Sequence, residues 1–343
     1  MTQIKVDNIA DAAGTGAPDF EDGLTVAGSA ISTLNTAEYY ESGTEPSSPK
    51  NGAIWKDTAN DKVMVYIAGE FKEIELGAAP ISAPSWTFDL TDLSLDASPF
   101  GVGSQEGNPY SVAVSADGSK MFLVGSTNDS VFQYSLSTAF DTTTATYDNV
   151  SHDVSSQAVN PADIKFNTDG TKMFIADITT NSIYQYSLST SFDASTISYD
   201  NVSFSTASQE TYLMALYFTF DGTKMYAGGR DSDRVHQYSL STAFDISTAS
   251  YDNVSLDVSA KEASLTSIFF DTEGEKLFIL GFNSDSLHQY NLSSAYDLTT
   301  ATFVSTLATP AGALGASVSY DGTKVYVTNT ASPDSIYQYS TGL

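Results

Sequence analysis

From residue 85 onward the apolar residues fall in short runs that return with a fixed period. In one copy, residues 163–166, 172–175, 182–188 and 197–202 are rich in β-branched, aromatic and aliphatic side chains, and Gly, Asp, Asn and Ser separate them. Runs of that length and composition predict strands rather than helices. In 182–188, SIYQYSL, large side chains fall on both faces, because successive residues of a strand point to opposite sides. A strand apolar on both faces has to be covered on both.

The period is long. Asp-Gly turns occur at Asp117-Gly118, Asp169-Gly170 and Asp221-Gly222, degenerate to Glu273-Gly274, and return at Asp321-Gly322. A Gln-Tyr pair keeps step at Tyr134, Tyr186, Tyr238, Tyr290 and Tyr339, spaced by 52, 52, 52 and 49 residues. One supersecondary unit of four antiparallel strands is therefore copied five times, which predicts an all-β, five-bladed β-propeller. The fifth copy ends at Leu343 before any fourth strand. Residues 86–90, WTFDL, align with Thr146-Tyr147-Asp148. The expectation is that 86–95 pair with the strand holding Tyr337 and Tyr339 and close the ring, leaving no long open edge.

The Asp-Gly turns suit hairpins in which glycine takes a positive φ and Asp bonds the turn backbone. The lysine that follows, as in Lys120, Lys172, Lys224 and Lys324, is expected to pair weakly with that Asp. The stretch DGTKVYVTN, 321–329, resembles the YVTN-type β-propeller repeat, which implies a fold and not a ligand. Asp141, Asp193, Asp245 and Asp297 end a second fixed segment and read as capping turns; whether such turns bind calcium stays open. His236 and His288 stand where other copies have Phe132, Tyr184 and Tyr337, and so read as aromatic-slot substitutions. Asn149-Val150-Ser151 and its two later copies match a glycosylation sequon only because the strand repeats.

Ahead of the repeats the composition changes. Residues 1–34 are rich in Gly, Ala and Asp and read as an extended attachment arm; 35–77 read as a small β-hairpin module; 78–84 read as a linker before the propeller of 85–343. The chain has 343 residues, 14 basic against 42 acidic, a net charge of −28 and no cysteine. Such a charge disfavours phosphate backbones and anionic lipid, so neither nucleic-acid binding nor membrane insertion is expected. Without cysteine there are no disulfides or thiolates. No apolar segment follows a basic start near residue 1, so no signal peptide is expected.

The stretch IKVDNIADAAGTGAPDFEDGLTVAG resembles the start of tail-fibre and other virion proteins of marine tailed phages. The segment GTEPSSPKNGAIWKDTANDKVMVYIAGEFKEI is similar to a small β-module that follows in such fibres, with prolines up to Pro49, then Gly52, Trp55, Asp57, Val65-Tyr66 and Gly69-x-Phe71. Phe71 stands where Trp is commoner. The resemblance implies a virion appendage, assembled in the host cytoplasm, that docks on other virion proteins through 1–77 and holds the propeller outward. A homo-oligomer, most plausibly a trimer, is expected through the same residues.

Turns after the first and third strands hardly change from copy to copy, whereas those after the second and fourth strands differ in each. In an antiparallel blade the two variable classes share one face, where function on a rigid scaffold usually sits. Asn128, Tyr212, Arg230, Arg234, Phe282 and Asn283 are the candidate ligand-binding residues there, for a host-surface glycan. Arg230 and Arg234 are the only arginines in the chain, and guanidinium forks suit carboxylates and acidic sugars. The competing expectation is a local pairing with Asp231 or Asp233. Two alternatives remain, a structural decoration or adaptor of the virion and a polysaccharide-degrading propeller. Glycoside hydrolysis needs two converging carboxylates, and the first strands offer only Asp163 and Asp271. No catalytic residue, metal or cofactor is predicted, and the chain is expected not to be an enzyme.

Overall fold

A computed structural model describes residues 85–343 apart from 97 and 98, Ser47, and the backbone of seven short strands between Ile4 and Ile74. The chain divides into two units, Met1–Ser82 and Ala83–Leu343. In the first, Ile4–Lys5, Leu24–Val26 and Ser29–Ile31 form one sheet. Tyr39–Ser42, Ile54–Asp57, Lys62–Ile67 and Glu70–Ile74 form another, in which the first pair is parallel and the others antiparallel. The side chains expected to mark the small module, Trp55 and Phe71 among them, lie outside the described residues, as does the rest of the arm.

The second unit is a five-bladed propeller of antiparallel four-stranded sheets. Blade 2 is typical: Pro161–Phe166, Lys172–Asp177, Ser182–Leu188 and Ile197–Ser205 pair in order. Among the described residues the only helical pieces are single 3-10 turns, and no helix is long and apolar enough to cross a membrane. Both faces of the inner strands are buried. Phe174 and Ile175, adjacent in sequence, have no exposed surface and belong to different inter-blade cores.

The fixed turns do the expected work, with one refinement. Gly170 has φ +70°, and a Cβ there would lie 2.3 Å from the ring of Phe192 in the turn between the third and fourth strands. Glycine is thus required by its own conformation and by the aromatic ring packed on it. Asp193, like its three counterparts, accepts from the backbone N–H two residues on and caps the 3-10 turn. Asn149, Asn201 and Asn253 take positive φ at a bulge in the fourth strand, a conformation asparagine tolerates. The lysine expectation is corrected: Lys120 pairs with Asp148 of the fourth strand at 2.8 Å, and Asp117 is held by Ser115 and Ser119. Two strands side by side bring that lysine and the fourth strand together, whereas the lysine points away from the turn.

The glutamine of each Gln-Tyr pair links one blade to the next. Gln133 Oε1 accepts from the N–H of Ala194 in blade 2, Gln185 from Ile246 in blade 3, and Gln338 of blade 5 from Thr142 in blade 1. Gln289 of blade 4 accepts from Leu90, which belongs to the segment ahead of the repeats. The ring therefore closes through the N-terminal segment, in a register different from the one expected. Trp86 occupies the place of the turn aromatic, packed on Gly322 as Phe192 packs on Gly170. Leu90–Asp92 is the 3-10 turn, and only Ser94 and Leu95 of 86–95 pair with the third strand of blade 5, as Ser340↔Ser94 and Tyr339↔Leu95. Phe100–Gly101 pairs further along, at Ile336 and Ser335. The alignment of 86–90 with a fourth strand fails because aromatic residues occur both in the turn and in the strand that follows it.

Two carboxylates fasten the closure. Asp96 accepts from Lys324 at 2.7 Å, Gln338 at 2.8 Å and Ser340 at 2.6 Å, repeating the role of Asp148. Blade 4 has Val304 where blade 1 has Asp148, and Asp89 supplies the missing partner for Lys276 and Gln289. Removing Asp96 orphans three donors at a fourth strand held by only a few residues. Asp96→Ala is expected to cost about 2 kcal/mol and to lower Tm by several degrees. Asp148→Ala, set in the continuous strand Ala145–Asp153, should cost less. Thermal unfolding of both variants checks this; an equal or larger loss for Asp148→Ala would contradict it.

Candidate functional site

The face that carries the loops after the second and fourth strands is built around buried carboxylates. Glu106, Glu210 and Glu262, each in the loop that enters a first strand, are almost fully buried. Glu210 accepts from the backbone N–H groups of Tyr212, Asp231 and Ser232 and from the Ser232 hydroxyl. Glu262 accepts from the N–H groups of Asn283 and Ser284, and Glu106 from those of Asn108, Thr127 and Asn128. Each carboxylate thus ties the loop after the fourth strand to the loop after the second. Charge-assisted bonds to several N–H groups are among the stronger local restraints, and a buried carboxylate requires them.

Glycine makes the room. A Cβ at Gly281 would lie 1.8 Å from Glu262 Cδ, and one at Gly229 would lie 1.9 Å from the Tyr212 carbonyl oxygen. Blade 2 solves the same problem the other way round. Ala158 stands at the glutamate position, Asp177 stands at the glycine position, and Asp177 accepts from Asn160 and Thr180. Blade 5 uses Asn329, which bonds Pro310, Ala311 and Ala331.

These loops bring three of the six candidate residues together. The Arg230 guanidinium lies 4.7 Å from the Phe282 ring centroid and 5.6 Å from that of Tyr212, and its backbone N–H bonds the Tyr212 carbonyl. Phe282 is 40% exposed, one of few large apolar side chains so open to solvent. Tyr212 also packs on Ala162, Ile178 and Met214, an apolar cluster drawn from blades 2 and 3. The expected pairing of Arg230 with Asp231 or Asp233 does not form: Asp231 accepts from Thr211. Burial pushes the Asp233 carboxyl above its ordinary range, with Glu210 and Glu262 adding to the effect.

The other three candidates serve the scaffold. Arg234 is paired with Asp257 at 2.8 Å, its direct cross-strand neighbour, and bonds Ser255. Asn128, in blade 1, donates its side-chain amide to the Gln105 carbonyl. Asn283 donates its amide to the Ala263 carbonyl and its backbone N–H to Glu262. Short polar side chains in tight loops find the nearest carbonyl.

His236 and His288 are buried aromatic-slot residues as expected, packed on Tyr251 and Phe303. Burial pushes the His236 imidazole down to about 4, and proximity to Arg234 adds to this. Each histidine Nε2 meets a serine hydroxyl that in turn donates to Glu210 or Glu262. In a hydrolytic triad the imidazole stands between hydroxyl and carboxylate; here the hydroxyl stands between. Among the described residues no group of three or more His, Asp or Glu could hold a metal ion.

A second feature was not foreseen. On the opposite, Asp-Gly face, a cavity of about 190 Å³ lies at the ring centre, lined by Ala113, Lys165, Tyr217, Phe220, Ser317 and Tyr320 among others. Lys165 pairs there with Asp163, which also accepts from Ser111 and the Leu216 N–H. Asp163 is thus satisfied within the propeller. Asp271 bonds the N–H groups of Glu275 and Lys276 in its turn.

No protein-family model and no curated protein matches the chain. Among solved structures it is similar to a "putative 6-phosphogluconolactonase" from Bacteroides uniformis, at 15% identity and a TM-score of 0.44 over 72% of this chain and 69% of that one. A protein of the same name from Bacteroides fragilis gives 15% identity and a TM-score of 0.43, covering 68% and 67%. A functionally unknown protein from Desulfotomaculum acetoxidans gives 12% and 0.40, covering 64% and 62%. The expectation that this chain is not an enzyme is corrected by the first two, which bear the name of an enzyme. Likenesses this distant transfer no reaction to it.

The exchange between blades 2 and 3 generates a direct test. Ala158→Glu alone should force a second carboxylate against Asp177, at a cost on the order of 3 kcal/mol. Adding Asp177→Gly recreates the arrangement of Glu210 and Gly229, and should recover most of the loss. Chemical denaturation measures both; a single variant as stable as the double would refute the account of the loops.

Proposed function

We propose that the chain is an appendage protein of a phage particle, and that its propeller recognises glycans of the host surface through the variable-loop face. The observation that carries this is the Tyr212–Phe282 pair, aromatic side chains from two adjacent blades presented on loops pinned by Glu210 and Glu262. Aromatic rings give sugars a stacking surface at small entropic cost, and rigid loops avoid the ordering penalty of binding. The virion assignment rests on the sequence resemblance of the first 77 residues. Attachment to other virion proteins and trimerisation through those residues belong to the same proposal. Several propellers on one particle would multiply weak sites into firm adsorption.

Purified full-length protein should compete with particles for adsorption to host cells. Tyr212→Ala combined with Phe282→Ala should weaken that competition more than about tenfold, as loss of an aromatic anchor does, with the propeller still folded by circular dichroism. Unchanged competition would contradict the proposal. A loss produced instead by Ala113→Phe, which fills the axial cavity, would place recognition on the opposite face.

A further inference from the structure

The chain carries a net charge of −28, and most of the cations among the described residues are engaged. Among the described residues, Lys120, Lys165, Lys172, Lys224, Lys276, Lys324 and Arg234 each have a carboxylate within 4.0 Å. Lys261 lies 3.9 Å from the Phe303 ring centroid. Arg230, like Lys261, has no carboxylate partner among the described residues, but it alone of the two lies over two rings. Asp231 and Asp233 follow it in sequence, yet no carboxylate pairs with it, and its Nε is buried without a hydrogen-bond partner. Two rings hold its guanidinium in place.

We infer that Arg230 makes the variable-loop face selective for carboxylate-bearing sugars, a step that rests on the glycan reading above. A guanidinium is always charged, and its planar fork matches a carboxylate with two parallel hydrogen bonds. Its usual cost, the ordering of a long side chain, is already met by the stacking on Phe282 and by the backbone bond to Tyr212. Other charges near the site do not supply this function. His236 is held neutral, Arg234 is taken by Asp257, and Asp231, Asp233, Glu210 and Glu262 are acidic residues. In that surround Arg230 is the cation held between Tyr212 and Phe282, while Lys261 lies over the separate ring of Phe303. The acidic remainder of the surface repels polyanions in general, so the contact has to be made by a carboxylate that reaches Arg230 itself. An exposed Phe282 edge and the Tyr212 hydroxyl can meet the sugar ring that carries it.

The test uses the full chain on an array in which each uronic-acid glycan is printed beside its carboxyl-reduced form. The two members of a pair share linkages and differ chiefly in charge. Glycans bound by the wild-type protein are expected to lose at least about tenfold on reduction, the worth of one charge-assisted contact. Arg230→Gln should bring the acidic form down to the level of the reduced one without moving Tm. Arg230→Lys should keep part of the difference, and Arg234→Gln should leave it intact. Binding that ignores reduction, or survives Arg230→Gln, would overturn the inference while leaving glycan recognition standing. Binding to no glycan of either kind would overturn the glycan reading, and this inference with it.

Discussion

A carboxylate buried between two loops is the interaction on which the candidate binding face depends. Glu106, Glu210 and Glu262 each gather backbone N–H groups that an irregular loop would otherwise leave without partners. An unpaired buried N–H is costly, and a buried carboxylate without donors is costlier. Each therefore requires the other, and the pair fixes two loops whose sequences are free to differ. Divergence of the variable loops is compatible with rigidity because the restraint runs through main-chain atoms. The position of Phe282, one residue after Gly281, follows from the close approach that only glycine allows.

The same economy appears in the ring. A propeller leaves two blade edges to be joined, and here the joint is spread over both neighbours of the gap. Asp89 completes the polar cluster of blade 4, and Asp96 completes that of blade 5. The glutamine clamps run from blade to blade through this segment as they do elsewhere. Only Gln237 lacks the partner its counterparts have at Oε1. Burial of both faces of the inner strands accounts for most of the cohesion, as in any layered β fold, and the hydrogen bonds fix its register.

Much of the architecture was legible because repetition separates scaffold from variation. Four Asp-Gly turns and one Glu-Gly turn, five Gln-Tyr pairs and a missing last strand indicate blade number and mode of closure. Register was not legible. Trp86 and Phe88 resemble a strand aromatic as well as a turn aromatic, and only the packing of Trp86 on Gly322 separates them. At the site, an aromatic or an arginine in a variable loop could be picked out, but not its orientation. Arg230 and Arg234 are four residues apart with similar neighbours, and one is stacked while the other is spent on a cross-strand pair. The carboxylate staples left a trace in the exchange of Glu/Gly in blades 1, 3 and 4 for Ala158/Asp177 in blade 2. The axial cavity left another: Ala113 and Ser317 are small where Lys165 and Tyr217 are large.

Two faces therefore compete for function, one with a half-buried arginine stacked on the exposed Phe282 and the other with a central cavity. Hydrogen–deuterium exchange of the full chain, free and bound to the glycan it selects from an array, compares them in one experiment. The account predicts slowed exchange at residues 208–212, 229–233 and 281–285, with the turns at 115–119, 167–171 and 219–223 unchanged. Protection confined to those turns, with 229–233 and 281–285 unaffected, would contradict it.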